Sequence, residues 1–484
     1  MKKLVSFIVV FLLTVSQIGF ADELLNSPSS KKQIRTKTTK SVATYAQAEN
    51  DKKGYARIEK KKIQTAEKSS QPSAQNTVSA ESTPIDQASK EDKGPSRKIM
   101  KRTQLESVDS AQNLGSFVGT GKRNIWRIMP GFEFKTLYDT NVNRESPHHR
   151  DEDIILNYTP SVDIKRSGSR YAFQTGYEMN FQEFLIESEQ NSFNHLFSTK
   201  FNYSGERLQV KLDESFSIVK TYASSEQDQR RIVMLNDINP EVIYKLTPKF
   251  SVSSLYRNRL VSYKDSNQKE FSFDTNTTGG RFYYHATPKL DMFLEGTGFS
   301  TNYYNSGLYD SDGYSIMTGA TGRLTRKFLT SFQTGFRGTR YDDPRINGYY
   351  DWVLEGAFQY RATPKSTITL LGKRDKEESL YRNVSWYRSN YFGLIYNYKI
   401  SRRISFVSEN NIRENAYPVE TTERARTKKR KDIILETSAK LSWNPVANLV
   451  LSIGYGLRER FSNFDSTFDY LAHAVDTSVS YQFA

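Results

Sequence analysis

The stretch Val475-Asp476-Thr477-Ser478-Val479-Ser480-Tyr481-Gln482-Phe483 places an apolar residue or a threonine at every odd position and a polar residue at every even position. Alternation with a period of two predicts a β-strand with one apolar and one polar face. The apolar face ends on two aromatic side chains, Tyr481 and Phe483. Because the same chain opens with an export signal, the two ends together suggest an outer-membrane β-barrel whose assembly signal includes Tyr481 and Phe483.

The first 21 residues have the three parts of a secretory signal peptide. Lys2 and Lys3 precede an apolar stretch at residues 4–15, and Gly19 and Ala21 supply the small residues that a signal peptidase reads. We expect cleavage after Ala21. The apolar run is shorter than the ~18 residues that a transmembrane helix needs. The chain has no cysteine, so neither a lipid anchor on an N-terminal cysteine nor a disulfide framework is expected.

Residues 22–124 are rich in Lys, Ser, Gln, Thr and Ala and nearly free of aromatic residues. Such a composition buries too little apolar surface to offset the entropy of ordering, so we predict a mostly disordered periplasmic tail. Residues 22–125 hold 20 Lys and Arg against 12 Asp and Glu, a net +8 of the chain's +15. The tail is interpreted as a solvated spacer or as a segment that binds an acidic polysaccharide or peptidoglycan.

From residue 125 onward, short turn sequences recur with central residues 37, 43, 40, 38, 38, 38 and 43 positions apart. The turns are Ser167-Gly168-Ser169, Ser204-Gly205-Glu206, Thr247-Pro248-Lys249, Thr287-Pro288-Lys289, Thr325-Arg326-Lys327, Thr363-Pro364-Lys365, Ser401-Arg402-Arg403 and Asn444-Pro445-Val446. A solenoid or propeller would repeat a core motif, whereas here only the turn recurs. Two strand patterns per repeat predict hairpins with alternating short and long connections. Eight short turns therefore imply 18 strands, an even number as bacterial barrels require.

The alternation inside the predicted strands separates a face for lipid from a face for water. We expect the polar positions to line a lumen: Gln174, Glu178, Asn180, Glu355, Gln359, Arg361, Ser452 and Arg458. A soluble antiparallel sandwich would alternate as well and is the main alternative. Pro130, Pro160 and Pro240 fall inside strand patterns, and because proline cannot donate to a ladder we expect bulges or strand starts there.

Several short motifs in the opening hairpins resemble the putative β-barrel porin 2 family. They are Pro130-Gly131-Phe132, Tyr138-Asp139-Thr140-Asn141-Val142, Thr159-Pro160-Ser161-Val162, Arg170-Tyr171 and Gly176-Tyr177. The resemblance covers roughly residues 125–484. It implies an outer-membrane barrel, in some cases associated with polysaccharide export loci, and it supplies no catalytic residues. The chain departs from the usual pattern in having Ala484 after the terminal Phe483.

One run of basic residues stands out in the barrel region. Its members are Arg424, Arg426, Lys428, Lys429, Arg430 and Lys431, which we place in the loop between strands 15 and 16. An outward-facing loop of this charge could contact lipopolysaccharide phosphates or attract anionic solutes to the pore mouth. A mobile solvated loop is the alternative interpretation.

The predicted fold is all-β, a transmembrane antiparallel up-and-down barrel of about 18 strands, and barrels of this size leave an aqueous lumen. The favoured function is a porin-like channel in the outer membrane for passive diffusion of small hydrophilic solutes. The alternatives are the outer-membrane component of an anionic polysaccharide export system and a non-conducting structural or adhesive barrel. We expect no enzyme activity, catalytic residue, cofactor, metal or nucleic-acid partner. The expected partners are outer-membrane lipids, lipopolysaccharide and the barrel-assembly machinery.

Overall fold

A computed structural model describes residues 126–145, 151–221, 230–265, 269–304, 309–381, 384–423, 426–464 and 468–483. The predicted signal peptide at residues 1–21 and the predicted tail at residues 22–124 lie outside the described residues. Arg424, in the basic run, and Ala484 lie outside them as well.

The described chain consists almost entirely of strands. Their bounds are β1 Arg127–Asp139, β2 Asp153–Ser167, β3 Tyr171–Phe184, β4 Ser192–Ser204, β5 Leu208–Thr221, β6 Arg231–Lys245, β7 Phe250–Tyr263, β8 Phe273–Thr287, β9 Leu290–Tyr303, β10 Ser311–Arg323, β11 Phe328–Tyr341, β12 Tyr349–Thr363, β13 Ser366–Tyr381, β14 Val384–Lys399, β15 Ile404–Glu423, β16 Arg426–Val446, β17 Leu449–Ser462 and β18 Tyr470–Gln482. Two single 3₁₀ turns, Ser188–Gln190 and Lys269–Phe271, lie in long connections.

The 18 strands form one closed antiparallel sheet. Each strand pairs with its neighbours in the chain, and β1 also pairs with β18, which closes the barrel. That closing register runs from Gly131 opposite Gln482 to Asp139 opposite Ala474. The predicted up-and-down barrel of 18 strands is therefore confirmed. A closed sheet has no edge strand, so its ladder continues around the whole circumference.

Seven of the eight short turns lie where the sequence predicts them. Their first residue is often Thr or Ser, whose hydroxyl can replace a backbone acceptor. Thr247 Oγ1, for example, accepts the backbone N–H groups of Lys249 at 3.2 Å and Phe250 at 3.1 Å. The eighth turn is shifted: β16 continues to Val446, and the register changes between Trp443 and Val446. Pro445 has no N–H to donate, so the strand continues past it as an irregularity.

None of the three internal prolines forms a bulge, and Pro160 and Pro240 lie in the middle of their strands, so the expectation of bulges or strand starts is wrong for these two. Around Pro160, the pairing of β2 with β3 pauses between Tyr158 and Ser161 and then resumes without a change of register. Pairing of β6 with β7 pauses in the same way around Pro240. Pro130 remains in the β1–β2 register, opposite Val162. The missing N–H interrupts the hydrogen bonds to one neighbouring strand only. Continuous pairing with the other neighbouring strand keeps the register.

The outer surface of the barrel is apolar. Large side chains such as Leu294 (55% exposed), Phe336 (68%) and Ile453 (54%) alternate with residues that face inward. A soluble sandwich would turn this face toward a second sheet, but here the single sheet closes on itself. The apolar face therefore suits lipid. No helix among the described residues has the length and apolar character needed to cross a membrane.

The basic run lies on a strand rather than in a loop. β15 and β16 are 20 and 21 residues long, and β16 begins at Arg426. Strand alternation then sends Lys429 and Lys431 to the outer side and Arg430 to the inner side. Arg430 is only 2% exposed, and its guanidinium binds the Asp432 carboxylate with Nε–O distances of 3.0 and 2.9 Å. The prediction of one exposed basic loop is therefore wrong, because a long hairpin divides its charges between two faces.

Adjacent residues of β17 give a direct test of the two faces. Ile453→Arg should lower the free energy of unfolding by ~2–4 kcal/mol, because it places a charge in the lipid near mid-bilayer. Ser452→Arg should cost little, since Ser452 points into the lumen, where its hydroxyl lies 2.7 Å from that of Ser478. Urea unfolding from lipid vesicles measures both values. Equal losses of stability would contradict the assignment of faces.

Candidate functional site

The registers of neighbouring strands identify the inner face. Glu133 on β1 lies opposite Thr159 on β2 and Ser480 on β18, and residues directly opposite each other share a face. The same rule extends around the sheet from pair to pair. Inward positions are mainly polar or charged, whereas outward positions are mainly apolar. The alternation of side chains along the strands is therefore enough to give the barrel a hydrophilic inner wall.

The inner wall encloses a cavity of about 2290 Å³. Val142, Phe271 and Glu377 line it near the long connections, and Lys399 and Gln482 line it near the short turns. One cavity thus extends from one end of the barrel to the other. Its volume exceeds the ~300–1,000 Å³ of ordinary small-molecule pockets. The interior can accordingly hold water and small solutes.

Charges on the wall are paired between strands. Lys135 lies 3.6 Å from Asp476, Arg337 lies 2.7 Å from Asp375, and Arg458 lies 3.3 Å from Glu436. Each pair joins a cation on one strand to a carboxylate on another. Because a thin sheet separates the lumen from lipid, an unpaired charge here would lack part of its hydration. Pairing keeps the wall hydrophilic without giving it a strong net charge.

The densest part of this wall is a network on β5–β9. Glu295, almost completely buried, accepts hydrogen bonds from Arg281 Nε at 2.8 Å and from Arg257 Nη2 at 3.3 Å. Arg281 also donates to the Tyr283 hydroxyl at 3.0 Å, and that hydroxyl donates to Glu241 at 2.8 Å. A second network holds Lys373 Nζ 2.7 Å from Glu377 on β13. Arg413, two strands away on β15, and Arg259, on the more distant β7, also act electrostatically on Glu377.

The mouth beside the long connections is narrowed by inward-facing aromatic residues. Val233, Tyr263, Phe271 and Tyr303 belong to one buried cluster, and Ile346 from the β11–β12 connection packs against it. In that connection Arg345 donates to Asp343 from its guanidinium, with Nη2–Oδ2 at 2.6 Å, and from its backbone N–H at 2.9 Å. These hydrogen bonds lower the pKa of Asp343 to about 2. The Asp343–Arg345 pair therefore stays charged at ordinary acidic pH.

The lumen residues predicted from the sequence all occupy inward positions of their strands. Asn180, Glu355, Ser452 and Arg458 line the cavity directly. The other four share its face by register: Gln174, Glu178, Gln359 and Arg361. Of the predicted basic run, Lys428 and Arg430 point inward at the mouth, and Arg426, Lys429 and Lys431 are exposed on the hairpin. The assembly residues Tyr481 and Phe483 are exposed, with ring centroids 4.9 Å apart.

Sequence reasoning missed the charged networks. Arg281, Tyr283, Glu295 and Glu241 are inward positions on three different strands. The alternation did indicate that Arg281 faces inward, because it lies between Gly280 and Phe282, which face outward. Which carboxylate each cation meets depends on the register between strands, and the sequence does not show it. No group of three or more potential metal ligands occurs in the part of the chain that the structure describes.

A closed barrel with an apolar outer face and a continuous hydrophilic lumen is the architecture of a porin-like outer-membrane channel. Residues 249–483, which span β7–β18, match the family model described as putative beta-barrel porin 2. The resemblance inferred from the sequence is confirmed for these strands. The short motifs that suggested it lie before the matched residues. No curated protein matches the chain.

Solved structures similar to this chain are outer-membrane barrels of low identity. Acinetobacter baumannii OccAB3 is 10% identical, with 74% of this chain and 99% of that chain covered and a TM-score of 0.41. Pseudomonas aeruginosa OpdK with vanillate is 12% identical, with 74% and 98% covered and a TM-score of 0.40. Pseudomonas aeruginosa OpdQ is 9% identical, with 74% and 97% covered and a TM-score of 0.41.

Removing one acid from the wall should change ion selectivity. Glu377→Gln removes one of the carboxylates that act on Lys373, Arg259 and Arg413, so the lumen becomes more positive there. We expect the permeability ratio of K⁺ to Cl⁻ to fall by about twofold, because a low-dielectric lumen focuses the field of its charges. The reversal potential in a KCl gradient measures this ratio. Glu420→Gln, at an exposed position near the tip of the β15–β16 hairpin, is the control, and equal effects of the two variants would contradict the assignment.

Proposed function

We propose that this chain forms a passive channel for small hydrophilic solutes across the outer membrane and has no enzyme activity. The observation that carries the proposal is the cavity of about 2290 Å³, which reaches residues at both ends of the closed barrel. Paired charges along its wall favour water and polar solutes without trapping an ion of either sign. A non-conducting structural barrel would instead need its lumen filled, as the side chains of small barrels fill theirs.

The proposed orientation places the short turns in the periplasm. Outer-membrane barrels have short periplasmic turns and longer external connections. Arg127, where β1 begins, lies opposite Lys165, three residues before the first short turn, so the chain enters the barrel at that same end. On this orientation residues 22–124 belong to the periplasm. Outer-membrane lipids and lipopolysaccharide would cover the apolar face, and the barrel-assembly machinery would act on the strand that ends in Tyr481 and Phe483.

Two adjacent threonines on β8 provide a matched test of the channel. Thr277 lies opposite Arg257 and lines the cavity, whereas Thr278 lies opposite Tyr256 on the outer face. Thr277→Trp should lower single-channel conductance by roughly a tenth to a third, because an indole occupies part of a lumen of this size. Thr278→Trp should leave conductance unchanged, because its ring enters lipid.

Liposome swelling completes the test. Vesicles that contain the full chain should swell in isotonic arabinose, glucose and sucrose, at rates that fall with the size of the sugar. Thr277→Trp should reduce the rate most for the largest sugar, and Thr278→Trp should not. Vesicles that show neither swelling nor conductance steps would refute the channel function and favour a structural barrel.

A further inference from the structure

The short-turn end of the barrel carries a row of cations on its inner side. At this end, one backbone hydrogen bond closes each of six strand pairs. The first joins Lys245 N to Arg207 O and the last joins Asn444 N to Arg403 O, each at 2.8 Å. The twelve residues so joined, one for each strand from β5 to β16, are called the rim row, and ten of them are Lys or Arg. Four of its pairs consist of two cations: Arg207 with Lys245, Lys289 with Arg323, Lys327 with Arg361, and Lys365 with Lys399.

Pairs of this kind disfavour folding. Like charges directly opposite each other on neighbouring strands repel. The positive charges of the rim row therefore do not stabilise the folded barrel. On the wall above it, cations meet carboxylates: Lys211 Nζ, for example, lies 3.3 Å from Glu241. Among the described residues, no carboxylate lies within 4.0 Å of any rim-row cation. All ten cations are exposed to solvent.

The rim row faces the opening of the lumen rather than lipid. Lys365, Lys399 and Arg403 line the central cavity. The same registers that put Lys373 and Glu241 on the inner wall put the rim row on the inner side. Phospholipid headgroups approach from the outer side, so they are poorly placed to neutralise these charges. The chain's own segment of residues 22–125 carries a net +8 and would be repelled by them.

We propose that the rim row binds a flexible linear polyanion, of the class of the acidic polysaccharides, at the periplasmic opening of the barrel. Neighbouring strands lie ~4.8 Å apart, so the row follows an arc of about 50 Å or more. A small anion would contact only a few of its cations, whereas a chain with repeated carboxylates can follow the whole arc. The inference rests on the proposed channel function, because the rim row then brings the polymer to the entrance of the lumen.

The test compares two triple variants of the full chain in planar bilayers. The rim variant is Lys289→Gln, Arg323→Gln and Lys327→Gln. The control variant removes three exposed cations from the opposite end: Arg340→Gln, Arg426→Gln and Lys429→Gln. Polygalacturonate is added to one side of the bilayer and then to the other, and neutral dextran of the same length is added in a parallel series.

Polygalacturonate should reduce the current from one side only, while dextran should not. In the rim variant the half-blocking concentration should rise about tenfold, because each lost surface contact contributes a modest factor. The control variant should behave like the unmodified chain. Raising KCl from 0.1 to 1 M should abolish the block, because the Debye length falls from ~10 to ~3 Å.

Four results would overturn the inference. Equal block from both sides, equal effects of the rim and control variants, or equal block by dextran would each show that the rim row does not select a polyanion. If the rim variant instead loses binding to phosphatidylglycerol vesicles and keeps its affinity for polygalacturonate, the rim row is a lipid contact and the inference is wrong. Absence of conductance in all variants would refute the channel, whereas binding of fluorescent polygalacturonate to the protein in micelles would still test the rim row.

Discussion

Closure of the sheet by β1 and β18 is the constraint on which the rest of the structure depends. In lipid, each backbone N–H and C=O must find a partner inside the protein, and a sheet meets this demand only when its first and last strands pair. The closing register from Gly131–Gln482 to Asp139–Ala474 meets it here. Once the sheet is closed, strict alternation assigns every side chain to lipid or lumen. The number of strands then determines that the lumen is wide enough to hold water.

The parts of the fold that follow from local chemistry could be predicted from the sequence. Turn residues such as Thr247-Pro248-Lys249 recur at a spacing set by two strands and a connection, so the number of strands could be counted. The period of two separated Ile453 from Ser452 without any structural information. The predictions that proved wrong depend on the partner strand. A proline at position 160 or 240 was expected to force a bulge, yet an uninterrupted ladder on the other side keeps the register. The run from Arg426 to Lys431 has the composition of a loop, yet pairing with β15 makes it a strand.

For the candidate site, the sequence could predict which residues face the lumen but not which residues contact one another. Inward positions could be chosen from alternation, and Glu355 and Arg458 do lie on the cavity wall. Their partners could not be chosen, because the contacts of an inward charge depend on register and on the curvature of the closed sheet. Arg257, for example, reaches Glu295 although β8 lies between their strands. Glu377 on β13 interacts with Arg413, two strands away on β15, and with Arg259, six strands away on β7. Only the closed geometry brings such residues together.

The distribution of charge along the barrel follows from the change in surroundings between wall and rim. The wall is a single sheet with lipid behind it, so a charge there is partly desolvated and requires a counter-charge within hydrogen-bonding distance. Glu295, almost completely buried beside two guanidinium groups, is one example. At the short turns the same inward positions meet bulk water, where repulsion between neighbouring cations is weak and salt screens it. Unpaired charges of one sign can therefore be placed at the opening at little cost in stability. An anion at this end meets a positive field before it enters, and inside it meets a wall whose charges already neutralise one another, so the opening rather than the wall has the stronger influence on which charged solutes approach.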